Sequence, residues 1–270
     1  MENKINDVVL LGGADAEMAH IKKKLDKNWI ENVSKELEWW AWIETYSDEI
    51  SSILEGWKTP VAIELKGAWG IEGVIDIDHH GDRSNEPAAI LQIMERYWMK
   101  INFFDKLIAA NDSWFIYAMQ DLLNSKEFEE KLKWKTEEQK EKIKSNLISR
   151  VRKLDRSAQW ITDEQEAEAI SAILKKEEIN EWNLTIVRLK HSKWATVTDR
   201  LFWKYKNLLI LSEDWECNFY WDGEICKTLW SKYEWSWTGG EWLGVEWWNA
   251  FFGWYVDQNE LEKSIKEFTK

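Results

Sequence analysis

The chain is short of cysteine, basic residues, long apolar runs and glycine, and each shortage excludes something. Its two cysteines, Cys217 and Cys226, offer no set for a thiolate zinc site, and nothing marks a secretory setting, so they read as reduced thiols. Basic residues number 36 against 49 acidic ones, giving a net charge of −13 and a pI near 5.0. That balance argues against a grip on long DNA or RNA, which depends on Lys and Arg neutralising phosphates. A small or short anionic ligand held through a metal fits it better. No apolar run reaches membrane-spanning length and the segment from Met1 to Asp7 is polar, so a soluble, cytoplasmic protein with no membrane partner is expected.

Glycine is scarce where tryptophan is abundant, with 12 and 22 copies in 270 residues, although glycine usually makes up about 7% of a chain. Tryptophan also stands where glycine normally does. Trp29 follows the helical pattern of Ala14 to Lys24 and Trp98 follows the pattern ending Glu95-Arg96-Tyr97, so both take the left-handed position past a helix end. Trp57, Trp69, Trp221 and Trp254 lie in turn-like surroundings near glycine. One reading is that many of these codons, with those of Trp114, Trp247 and Trp248, are UGA decoded as glycine in the source and rendered here as tryptophan. It predicts positive φ at Trp29 and Trp98. Trp42 and Trp237 read as genuine. The rival reading is an aromatic-rich protein with stacking platforms for sugars or bases.

At 270 residues the chain has room for two modest domains. Val8 to Leu11, Val61 to Leu65 and Val74 to Ile77 read as short buried strands. Helices follow Gly12-Gly13-Ala14-Asp15, with Met18, Ile21 and Leu25 on one face, and open from Pro87 and from Asn102. The alternation predicts an α/β fold, a parallel sheet flanked by helices with ligands at the carboxyl ends of its strands. We expect a metal-binding catalytic domain over 1–121, a helical linker over 122–180 and a smaller α/β substrate-binding domain over 181–270. Lys126 to Lys144 reads as one solvated helix, and Thr162-Asp163-Glu164-Gln165 as a capping box. Strands are expected from Leu184 and over Asn207 to Leu211, and a hairpin-like turn over Tyr220 to Glu224.

The segment Asp76-Ile77-Asp78-His79-His80-Gly81-Asp82 follows Val74-Ile75, so one strand end delivers carboxylate and imidazole ligands suited to a divalent ion. Asp15 and Glu17 follow the first strand, Glu64 ends another, and Ala109-Ala110-Asn111-Asp112 supplies a further acid. Plainer readings stand beside each: Glu17 as a favourable acid in a first helical turn, Glu64 as a solvated strand end, Asp112 as a turn cap. His20, one turn past Glu17, reads as structural.

Taken in order, these four motifs resemble those of the DHH phosphoesterase superfamily, most closely over residues 60–115 and more weakly elsewhere. The resemblance implies that His79, Asp112 and Glu17 hold one ion, that Glu64 bridges, and that Asp15 helps hold a second. It implies that Asp78 orients a neighbouring imidazole and that His80 contacts the phosphate or protonates the leaving oxygen. Manganese is the implied metal, with magnesium as the alternative. Two departures are visible: Leu11 stands where the family has a histidine, and the bridging acid is a glutamate. They imply one tight and one weak metal site. The C-terminal part resembles the DHH-associated substrate-binding domain, whose glycine-rich loop matches Trp247 to Trp254 only if the tryptophans are glycines, with Asn249 at the histidine position. Gly239, Gly240, Gly253, Arg188 and His191 complete the expected substrate site, with Ser192, Thr196 and Arg200 nearby. The implied activity is metal-dependent hydrolysis of a phosphodiester or phosphoanhydride in a small nucleotide or short oligonucleotide. The alternative is a catalytically degenerate relative serving as a nucleotide-binding or regulatory module.

Overall fold

A computed structural model describes residues 6–239, 250–255, 257, 260 and 263, apart from 40, 81, 82, 84, 180–182, 202, 203, 206, 222 and 235. The chain divides into two units, Met1–Gln159 and Trp160–Lys270, the division falling inside the 122–180 stretch.

In the first unit β1 (Asp7–Leu10), β2 (Asn32–Val33), β3 (Thr59–Ile63) and β4 (Ile75–Ile77) form a parallel sheet of order β2-β1-β3-β4. Val8, Leu10 and Ala62 pack with Ile43, Tyr46, Ile50 and Ile53, the last two on α2 (Ser47–Glu55). Val9, Val61 and Ile63, the alternate residues, are fully buried as well. A strand buried on both faces reads as an unbroken apolar run, which is why these were legible. Helices α1 (Ala16–Lys27), α3 (Ala89–Arg96) and α4 (Phe103–Leu123) pack on one another and bury Ile21, Leu25, Ile90, Ile93, Leu107 and Ile108, each contributing about 1.5–3 kcal/mol.

The stretch Lys126 to Lys144 is not one solvated helix. It is divided into α5 (Lys126–Lys131) and the start of α6 (Glu137–Ala158), because Thr136 and Gln139 form a capping box that opens a new helix. Farther along α6, Val151, Arg152 and Asp155 are buried where the helix packs on α1 and α4.

The second unit holds β5 (Glu177–Ile179), β6 (Leu184–Leu189), β7 (Asn207–Ser212), β8 (Glu216–Trp221), β9 (Trp237–Gly239) and β10 (Ala250–Tyr255), in the order β5-β6-β7-β8-β10-β9. Among the described residues only the β6–β7 pairing is parallel. Val187, Leu189, Leu208 and Ile210 meet α7 (Asp163–Leu174) and α8 (Ala195–Leu201), while Leu184, Ile186, Leu209 and Leu211 meet α9 (Gly223–Lys232). Thr162 and Gln165 form the expected capping box of α7.

Two expectations fail here. Tyr220 to Glu224 is a strand-to-helix junction and not a hairpin, since Cys226, Leu229 and Tyr233 bury one face at helical spacing. The expected glycine-rich loops are partly strand. Gly239 pairs with Phe251, Gly253 pairs with both Asn218 and Trp237, and Ala250 and Phe252 alternate into the core. Trp254 and Trp221 therefore occupy strands, not turns. Gly240, Trp247, Trp248 and Asn249 lie outside the described residues.

Candidate metal centre

The connections after β1 and after β3 diverge, so the carboxyl ends of these two strands mark the point where strand order reverses, the usual place for a ligand in such a sheet. Asp15 caps α1 there, its Oδ1 accepting the Met18 N–H at 2.8 Å, and Glu17 lies in the helix's first turn. Glu64 directly follows β3, Asp78, His79 and His80 follow β4, and Asp112 lies on α4. Ligand-capable atoms of Glu64, His79, His80 and Asp112 all lie within 4.8 Å of one another, a group able to hold a divalent ion.

His79 Nε2 is 2.5 Å from Asp112 Oδ2 and 3.2 Å from Glu64 Oε1, yet none of these three atoms is oriented to complete a hydrogen bond. Glu17 Oε2, also buried, has no hydrogen-bond partner either, while its Oε1 accepts the Ile90 N–H at 2.9 Å. A buried polar atom without a partner costs about 1–3 kcal/mol. Several such atoms together, three carboxylate oxygens and one imidazole nitrogen, are a donor set that fits a divalent cation.

The backbone is bent to bring them there. Glu64 adopts φ 50°, a left-handed conformation that a glutamate takes only when its surroundings impose it. A Cβ on Gly12 would lie 2.5 Å from the Ile63 carbonyl oxygen and 2.9 Å from that of Glu64, so only glycine lets the loop after β1 close against the turn after β3.

Burial, reinforced by the Asp112 charge, pushes the carboxyls of Asp15, Glu17 and Glu64 well above the usual carboxylate range. For His79 burial works against protonation, but contact with Asp112 outweighs it and the imidazole is raised. Burial also pushes Asp78 up, and the hydrogen bonds it accepts outweigh that and hold it low. Its Oδ1 accepts the backbone N–H of His79 at 2.7 Å and of His80 at 2.9 Å, and lies 2.9 Å from His80 Nδ1. An ionised carboxylate can only accept, so Nδ1 of His80 carries the proton.

Other expected residues are placed elsewhere. Leu11 is buried and offers no side-chain ligand; its carbonyl accepts the Tyr46 hydroxyl. His20 Nε2 lies 2.8 Å from Asp105 Oδ1, in a pair that Lys24 also joins. In the second unit Arg188 Nε donates to Glu177, and His191 sits between Gln165 O, Glu168 and the Lys193 N–H. The residues that sequence reasoning missed are on α6. Asp155 Oδ1 accepts the Ala16 N–H at 3.1 Å, and Arg152 donates to Asn111 Oδ1 at 2.8 Å while pairing with Asp155 Oδ2 at 3.1 Å. One ion pair thus braces the residues beside Asp15 and Asp112. Its only sequence signal is helical phase, which puts Val151, Arg152 and Asp155 together.

No family model and no curated protein matches the chain. Among solved structures it is similar to an exopolyphosphatase-related protein from Bacteroides fragilis, with 10% identity, a TM-score of 0.47, and 99% of this chain and 94% of that one covered. It is also similar to the pGpG-specific phosphodiesterase PggH from Vibrio cholerae, with 11% identity, a TM-score of 0.43, and 97% and 96% covered.

Proposed function

We propose that the protein is a metal-dependent phosphoesterase that hydrolyses a phosphodiester or phosphoanhydride in a small nucleotide or short oligonucleotide. The observation that carries this reading is the crowding of buried ligand atoms of Glu64, His79 and Asp112, with Glu17 beside them, at the carboxyl edge of the parallel sheet. In this reading His79, Asp112 and Glu17 hold a tight ion, manganese with magnesium as the alternative, and Glu64 bridges to a second. Asp15 alone adds to that second site, because Leu11 brings no ligand, and the site is weak. When bound, such ions offset phosphate charge and acidify water. Asp78 keeps the His80 Nδ1 proton in place, which leaves Nε2 as the nitrogen that meets the phosphate or passes a proton to the leaving oxygen.

We further propose 181–270 as the substrate-binding part, with Arg188, His191, Gly240 and Asn249 as its candidate contacts and Trp247 and Trp248 read as glycine. The catalytic part is 1–121 and the linker 122–180. No helix among the described residues is long and apolar enough to cross a membrane, and both cysteines are buried; a cytoplasmic setting is part of this proposal.

Turnover of a panel of phosphodiesters, cyclic dinucleotides and pyrophosphate should require manganese, stop with chelator, and disappear in His79→Ala and Asp112→Ala. Hydrolysis unaffected by all three would overturn the metal reading. Leu11 motivates the second reading, and nucleotide binding with no turnover on any substrate would establish it.

A further inference from the structure

We propose that the natural polypeptide carries glycine where Trp29, Trp57, Trp98, Trp160 and Trp215 are written, their codons being UGA decoded as glycine by the source. This inference is independent of the metal reading, since it rests on backbone conformation alone.

Among the described residues nine non-glycine positions have positive φ, and five of them are these tryptophans, at 57°, 57°, 49°, 51° and 67°. Tryptophan supplies only 22 of 270 residues, so the left-handed positions select it strongly. Three of the five end α1, α2 and α3 with one pattern of hydrogen bonds. After α1 the Trp29 N–H donates to Asp26 O at 3.2 Å and the Ile30 N–H to Leu25 O at 3.0 Å. After α2 the bonds are Trp57 to Leu54 and Lys58 to Ile53, both 3.0 Å. After α3 they are Trp98 to Glu95 at 3.1 Å and Met99 to Met94 at 2.8 Å. This pair of bonds is the Schellman closure, whose left-handed residue is usually glycine because a Cβ is strained there.

The remaining two fit the same rule. Trp160 follows Gln159, the C-cap of α6. Trp215 joins β7 to β8 and its N–H donates to Ser212 O at 3.1 Å, placing it at the left-handed residue after a tight turn, where a hairpin bulge takes glycine.

Trp29, Trp57 and Trp98 are 95%, 88% and 80% exposed, so their rings bury little that would offset the strain, while Trp160 and Trp215 are 50% and 59% exposed. A ligand-stacking role is a poor alternative, since Trp29 and Trp57 precede β2 and β3 at the amino edge of the parallel sheet, the end opposite the metal centre. Tryptophans without a left-handed backbone look different. Trp42, although 57% exposed, has φ −90° and its ring lies beside Gly67 and Lys66, and Trp254 packs on Tyr233 with ring centroids 4.3 Å apart in β10. The proposal therefore excludes Trp42 and Trp254.

The test joins the gene to peptides of the native protein. UGA at all five positions with UGG at Trp42, and native tryptic peptides such as Asn28–Lys35 carrying glycine at position 29, are the expected results. UGG at the five, or UGA with tryptophan in the native peptides, would overturn the proposal. A recombinant chain with Trp29→Gly, Trp57→Gly, Trp98→Gly, Trp160→Gly and Trp215→Gly should also melt higher than the tryptophan form, by about 2–4 °C per position if the left-handed strain is fully released. Equal or lower melting would show that the backbone there does not demand glycine.

Discussion

Asp15 does two jobs that a single substitution can separate. Its Oδ1 caps α1 through Met18, and the Asp112 charge lies close enough to oppose its ionisation. Asparagine caps a helix about as well as aspartate but carries no charge. Asp15→Asn should thus leave thermal stability unchanged or slightly raised, while the weaker step of a manganese activation curve moves about tenfold or more to higher metal and the tighter step stays. A parallel loss of both steps, or a marked drop in melting temperature, would contradict the two-site reading. At this scale motif order pointed to Glu64, His79, His80 and Asp112, whose ligand atoms lie within 4.8 Å of one another. It did not show that Glu64 takes a left-handed backbone or that Gly12 must be glycine, since both follow from contact between segments about fifty residues apart.

Secondary elements were legible where their signals are local. The apolar runs of β1, β3 and β7 and the caps Asn102 and Thr162 behave as their sequences imply. Elements were misread where pairing or packing decides: Ala250–Tyr255 is a strand because β8 and β9 flank it, and α6 has a buried face because α1 and α4 meet it. That face carries the Arg152–Asp155 pair, which joins Ala16 and Asn111 across a span of up to 139 residues. Asp155→Asn can still accept from Ala16 but leaves Arg152 buried with a weaker partner, and breaking such a pair typically costs about 3–5 kcal/mol. The expected outcome is a lower denaturation midpoint together with manganese affinity weakened about 10–100-fold, as when support around a metal ligand is lost. Calorimetric titration at a temperature where the variant is folded checks it; a destabilised variant with unchanged metal affinity would make the pair a fold brace only.

Across the whole molecule the crowded carboxyls make stability depend on pH and metal together. Asp15, Glu17 and Glu64 bind protons more tightly folded than unfolded, where carboxyls titrate at about 3.9–4.3, and His79 is raised in the same way. Stability from these groups is present below their unfolded values and lost as pH rises toward the folded ones, so the metal-free protein should lose stability at this centre as pH rises above about 4 for the carboxyls and above about 6.5 for His79. Paired acids such as Asp78 and Asp105, which are held low, shift the opposite way, so the total melting curve mixes both signs. The difference between manganese-loaded and chelator-treated protein isolates the centre. Saturation at 100 times Kd adds about 2.7 kcal/mol, which at about 2–4 °C per kcal/mol is a rise of about 5–10 °C near pH 7. The rise should shrink toward pH 5, where protons compete with the metal for the same oxygen and nitrogen atoms. Scanning calorimetry at both pH values checks this, and a metal-induced rise equal at pH 5 and pH 7 would show that the ion binds somewhere other than these raised carboxyls.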